Sequence, residues 1–241
     1  MKILATQLRA ELTVIARNGE QLLVIIGIPA ALLIFFSNVN VLPTGGQSAI
    51  DFLLPGIIAL AVMSTAMVSL GISTGFARSY LVLKRLGATP LGARRLIAAK
   101  TVAVAVVEIV QCLVLVLIGV ALGWKATHLE WLGSVAALTL GTFAFAGIGL
   151  TLAGTLKAEV NLAAQNGVYL LLLLFGGVLI PLDSLPAPLR VVGSLLPSGA
   201  LGDVLRHSLT GADLYQNLSW IVLALWALLA PMCAARWFRW Q

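Results

Sequence analysis

The sequence predicts an all-α fold: a polytopic membrane protein with six transmembrane helices, an N-terminal amphipathic interfacial helix and an outer re-entrant helical segment between spans five and six. Three observations predict it. Of 241 residues, 60% are hydrophobic and 10% charged, whereas a soluble domain carries about 25% charged residues. Lipid must therefore solvate most of the surface. The apolar residues fall in long runs of spanning length, not in the alternating segments of a membrane β-barrel. The basic residues gather between those runs, most densely from Arg78 to Lys100, where Arg78, Lys84, Arg85, Arg94, Arg95 and Lys100 stand without an acid. A basic island between two spans marks a cytoplasmic loop.

In chain order, residues 1–20 are too polar, and lack the small-residue site, for a cleavable signal. On a helical wheel Leu4, Leu8, Leu12 and Ile15 share one face, and Lys2, Thr6, Arg9, Thr13 and Arg17 the other. That is an amphipathic helix lying along the inner membrane surface. The first span covers about Gln21 to Ser37. Pro29 within it is tolerated where a neighbouring helix covers the carbonyl it frees. Residues 38–51 are turn-rich, without Lys or Arg, and read as outside. The second span runs from about Phe52 to Ala77. In the island, Gly87, Pro90 and Gly92 break the helix into short pieces.

The third span follows at about Thr101 to Leu122, then a tight outside hairpin at Gly123–Glu130 with Trp124 and Trp131 at interfacial depth. The fourth span is about Trp131 to Leu156, the inside turn Lys157-Ala158-Glu159, and the fifth span about Leu162 to Ile180. Residues 181–217 contain Pro181, Pro186 and Pro197 and an apolar core from Leu189 to Leu201. That core is too short to span, so a re-entrant hairpin or interfacial helix on the outer side is expected. The sixth span is about Leu218 to Ala235, ending in a basic, aromatic tail. Six spans put both termini inside. Twelve of the 15 basic residues then fall inside, and only Lys125, Arg190 and Arg206 outside, as the positive-inside rule requires. The whole of 1–241 reads as a single transmembrane domain.

The net charge of +6 belongs to these flanking loops and does not indicate nucleic-acid binding. Cys112 and Cys233 both lie in apolar runs, too few for a disulfide framework or a metal site. No GxxxxGK[ST] loop occurs, and no cytoplasmic segment is long enough for a nucleotide domain. If ATP drives the protein, the ATPase is another polypeptide. Ser198 and His207 invite a hydrolase reading, which requires the two side chains in contact; a turn is the simpler account of Pro197-Ser198-Gly199. No catalytic residue is assigned.

Glu108 is the one acid well inside a span, with Gln111 one turn on. Intramembrane ionisable residues are costly and point to function. A substrate contact, a proton relay and an interhelical hydrogen bond all remain open for Glu108. Small residues such as Gly141, Gly147, Gly149 and Gly154, and the pair Gly176-Gly177, permit close helix contact within the chain or between subunits.

The tract Leu83-Lys84-Arg85-Leu86-Gly87-Ala88-Thr89-Pro90-Leu91 resembles the loop of type 2 ABC transporter permeases, the daunorubicin-type exporter membrane subunits. Gly177-Val178-Leu179-Ile180-Pro181 with Leu185-Pro186, Leu196-Pro197, and Gly202-Asp203-Val204-Leu205-Arg206 look like the segments that follow span five in that family. The chain departs from it before the loop, where Ala77-Arg78-Ser79-Tyr80 stands in place of a frequent acidic pair and glycine. A salt bridge from that acid is not carried over.

The resemblance implies an export permease whose residues 78–100 form a coupling loop, with Leu83, Lys84, Arg85, Leu86, Ala88, Pro90 and Arg94 meeting an ATPase. It implies two copies of a separate ATPase subunit, which bind ATP and magnesium, and a second permease subunit, the same or a sister. The chain itself needs no cofactor. The expected setting is the lipid bilayer of a prokaryotic plasma membrane, and the cargo an amphipathic drug, lipid or lipid-linked molecule. The alternative is a secondary transporter in which Glu108 carries protons.

Overall fold

The computed structural model describes residues 2–39, 48–87, 92–126, 129–179, 181–211 and 216–238. These are helical apart from short turns, with no strand among them. Six helices are long and apolar enough to cross a membrane: Gly19–Asn38, Ala49–Ser79, Ala98–Ala121, Trp131–Thr155, Ala158–Phe175 and Asn217–Trp237, numbered spans one to six. The sequence-predicted spans fall on all six.

An amphipathic helix, Lys2–Arg17, precedes span one. The two are separated by Asn18, whose side chain accepts from the backbone N–H of Gln21 at 3.1 Å and so caps the new helix. The N-terminal helix does not lie alone on lipid. It packs along the helix that becomes span three, where Lys100 pairs with Glu11 at 2.9 Å.

Span two is the centre of the bundle. In its most apolar 18-residue stretch 83% of the residues are buried, against 17% for span one, 22% for span five and 28% for span six. Leu53, Leu54, Ile57, Met63 and Met67 are fully enclosed, in one core cluster with Leu33 of span one, Leu115 of span three and Phe145 of span four. Lipid tails are as apolar as leucine, so this packing is driven by close contact and not by escape from water. The glycines of span four supply that contact within the chain. Gly141 faces Leu201, Gly147 lies against the backbone at Ala230 and Pro231 of span six, Gly149 against Met67, and Gly154 against Phe238.

Spans one and two each contain a π-helical segment, at Leu23–Gly27 and Met63–Ser69. The first lies just ahead of Pro29. Proline has no N–H to offer the carbonyl four residues earlier, that of Ile25. Gln111 of span three supplies the missing donor at 2.6 Å.

The basic island differs from its expected shape. The chain breaks at Tyr80–Leu81, where Leu81 takes a φ of 58°, ahead of the glycines and proline that predicted the break. A loop helix follows at Val82–Gly87. From Gly92 the helix is continuous into span three, to Ala121, because Arg94 to Lys100 lack any breaker. Pro90 lies outside the described residues. Span five begins at Ala158, with Glu159 in the first turn where an acid suits the helix dipole, and ends at Phe175 before Gly176 and Gly177 (φ 65°). It is thus shifted earlier than Leu162–Ile180. Trp131 is 64% exposed, as an interfacial tryptophan should be, whereas Trp124 turns into the core.

Between spans five and six, where the sequence leaves a re-entrant hairpin or an interfacial helix open, two helices follow, Ala187–Leu195 and Pro197–Thr210, joined at Leu196. Pro186 precedes the first helix. Pro197 opens the second, where its missing N–H costs nothing. Pro181 precedes a single 3-10 turn, Leu182–Ser184.

Candidate functional site

Among the described side chains of the loop helix Val82–Gly87, Leu83 is the buried one. Leu83 is 1% exposed and packs with Leu96, at the start of the long third-span helix, with Ala77 and Phe238 around them. Lys84 and Arg85, next in sequence, are exposed. A helix this short has little stability of its own, so its seat comes from Leu83 while its basic pair faces outward. Ala88 and Pro90, and the side chains of Leu86 and Arg94, lie outside the described residues.

Arg78, at the last turn of span two, points back into the bundle. It donates to the carbonyls of Ala153 and Leu156 at 2.9 Å each. These belong to the last turn of span four, whose final carbonyls have no helical partner. Arg78 thus caps span four and fastens it to span two. Span five is tied to span two close by. Asn161 donates to the carbonyl of Gly71 at 3.0 Å, and Gln165 reaches Gly149 of span four at 2.9 Å and Asn161 at 3.1 Å. The halves of spans two, four and five nearest the basic island therefore form one hydrogen-bonded block, from which the loop helix hangs.

Glu108 and Gln111 do not bond to each other. Thr142 of span four lies 2.5 Å from Glu108 Oε2. Gln111 faces the other way, accepting from Thr65 at 3.0 Å while it donates to Ile25. Both are buried. Of the roles open to Glu108, the interhelical hydrogen bond is the one the geometry contains, with span four as partner.

Ser198 and His207 are not brought together. Nine residues along one helix separate them by about 13 Å. Ser198 donates to the carbonyl of Leu172, and His207 lies 4.0 Å from Glu130. A nucleophile and base need hydrogen-bond reach, which this helix denies them.

At the opposite end of the bundle the second hairpin helix carries a buried ion pair. Arg206 and Asp203 approach to 3.3 Å, both under 6% exposed. Arg206 also donates to the carbonyls of Gly177 and Val178 at 2.7 and 3.1 Å, and lies 4.3 Å over the ring of Phe52. Ser219 of span six is 3.4 Å from Asp203. The hairpin is thereby fixed to spans two, five and six.

Sequence reasoning counted Arg78 in the basic island and Arg206 among the outer charges. The structure turns both inward. Their signals were faint but present: an Asp-x-x-Arg pair one helical turn apart at 203–206, and an amide pair four apart at Asn161 and Gln165.

Six apolar spans, with a short loop helix at the basic end and a pair of helices at the other, define a multi-pass membrane protein. The chain belongs to the ABC-2 transporter family: the model of the ABC-2 family transporter protein matches residues 4–234. It is also 27% identical over 204 residues to "Putative transport permease YvfS" of Bacillus subtilis (strain 168), covering 84% of this chain and 83% of the relative. Membership makes it the membrane permease of an ABC transporter, a system that includes an ATPase.

Proposed function

We propose that the chain is the permease subunit of an ATP-driven exporter. It pairs with a second permease subunit and docks two copies of a separate ATPase, which hold the ATP and magnesium. It moves an amphipathic drug, lipid or lipid-linked molecule outward across the plasma membrane of a prokaryote. Both termini and the basic island face the cytoplasm.

The observation that carries this reading is the division of labour within the loop helix. Leu83 is sunk between spans two and three, while exposed Lys84 and Arg85 are placed to meet acidic groups on a partner. A push on this helix reaches span two at Ala77 and the third-span helix at Leu96. Through Arg78, Asn161 and Gln165 it also reaches spans four and five. Packed elements of this kind move as rigid bodies, so ATPase closure would be passed on without loss in flexible loops.

The test is co-purification and transport with the ATPase partner. Reversing charge in Lys84→Glu with Arg85→Glu is expected to abolish ATPase capture and ATP-dependent transport while the permease stays in the membrane. Normal assembly and transport in that variant would remove the docking claim.

A proton-coupled transporter is the second reading, since Glu108 Oε1 has no hydrogen-bond partner among the described residues. Glu108→Gln separates the two. The exporter reading expects transport that still follows ATP, with its pH dependence unchanged; the alternative expects loss of dependence on the proton gradient.

A further inference from the structure

Span six ends at Trp237, within a run that the sequence presents as one aromatic anchor, Trp237-Phe238-Arg239-Trp240. The structure parts its first two aromatics. Trp237 is 55% exposed, as an interfacial anchor should be. Phe238 is half-buried and packs into the protein. Its backbone N–H still donates to the carbonyl of Ala234 at 2.9 Å, so the last turn of span six sets where the ring goes.

Two neighbours receive that ring. One is Gly154 of span four, where an added Cβ would fall 2.6 Å from the ring atom Cδ2 and 2.8 Å from the Phe238 Cα. Gly147, about two turns earlier, takes Ala230 and Pro231 of span six in the same way. Spans four and six therefore run side by side to the basic end of the bundle. The second neighbour is the pair Leu83 and Leu96, which seats the loop helix. Ala77 also packs on that pair, but it belongs to span two, just upstream of the loop helix. Phe238 comes from the far end of the chain and packs against the main core as well. It bridges two apolar clusters.

A close-packed contact of this kind transmits displacement, because protein interiors are dense and resist compression. Truncating the ring would leave a gap, and atoms lining a gap lose their contacts on that side.

We propose that Phe238 is a positioning residue for the loop helix, linking it to spans four and six so that both follow when the loop helix is displaced. That an ATPase supplies the displacement rests on the exporter reading above; that Phe238 holds the loop helix does not.

The test compares the full-length parent with Phe238→Ala, Phe238→Leu and Trp237→Ala, first in nanodiscs without the ATPase. Amide hydrogen exchange across Val82–Gly87, read by mass spectrometry, should be several-fold faster in Phe238→Ala. Phe238→Leu keeps a branched apolar side chain and should restore most of the protection. Trp237→Ala should leave it unchanged. In vesicles with the ATPase, Phe238→Ala should still capture its partner, since Lys84 and Arg85 are intact. Transport per ATP hydrolysed should fall several-fold and recover in Phe238→Leu. Phe238→Val, a milder truncation, gives the same order of exchange if the alanine variant does not fold. Exchange and coupling that match the parent overturn the proposal. So does exchange raised equally in the loop helix and in spans four and six, which would make Phe238 a general packing residue, and so does loss of capture in step with transport. Faster exchange in the loop helix alone, with no ATP-driven transport even by the parent, would sink only the exporter reading.

Discussion

The side-chain amide of Gln111 donates to the carbonyl of Ile25 at 2.6 Å, the oxygen that Pro29 leaves without its usual helical donor. A polar residue in span three thus makes a proline tolerable in span one. Gln111→Leu is expected to destabilise the protein by ~1–2 kcal/mol, the range for a buried interhelical hydrogen bond in a membrane. Pro29→Ala restores an N–H at that turn, so the double variant should recover part of the loss. Thermal unfolding in detergent measures both, and purely additive losses would argue against the pairing.

Arg78 joins spans two and four through two carbonyls. Arg78→Gln keeps a donor but loses the fork that reaches Ala153 and Leu156 together. Membrane insertion and ATPase capture should persist, since Lys84 and Arg85 are untouched. Transport per ATP hydrolysed should fall several-fold, because span four no longer follows the loop helix. Reconstituted vesicles with paired ATPase and transport readings check this. Parallel loss of capture and transport would instead place Arg78 at the docking surface.

Gly71 admits Gln165 where no other residue would. A Cβ there would fall 2.0 Å from the Gln165 amide nitrogen and 3.0 Å from the carbonyl of Gly149. Gly71→Ala is expected to cost about 1–3 kcal/mol, the usual penalty for overpacking. Adding Gln165→Ala removes the nearer clash and should relieve part of that cost. Cycle analysis by thermal unfolding reads the coupling.

Arg206 and Asp203 form a buried pair. Removing the cation alone, in Arg206→Met, strands a carboxylate and two carbonyls, at an expected cost of about 3–5 kcal/mol. Replacing both, Arg206→Met with Asp203→Leu, should be less damaging than the single change, since no lone charge remains. Scanning fluorimetry of the three proteins gives the order, and a double variant worse than Arg206→Met would refute this account.

The membrane class, the six spans and the place of the basic loop were legible in the sequence alone. Apolar length, charge asymmetry and proline spacing are properties of a line, and they need no third dimension. The tertiary structure decided what that line cannot hold. It turned Leu83 inward and left Lys84 and Arg85 exposed. It carried Arg78 from the island into a cap on span four, buried Arg206 against Phe52 and Asp203, and parted Glu108 from Gln111 so that they face different spans. Each of these depends on how a helix is rotated about its axis and on which turn of its neighbour it meets. A chain that is apolar almost all round leaves that rotation unwritten in its hydrophobic pattern, so close packing and a few buried hydrogen bonds settle it instead.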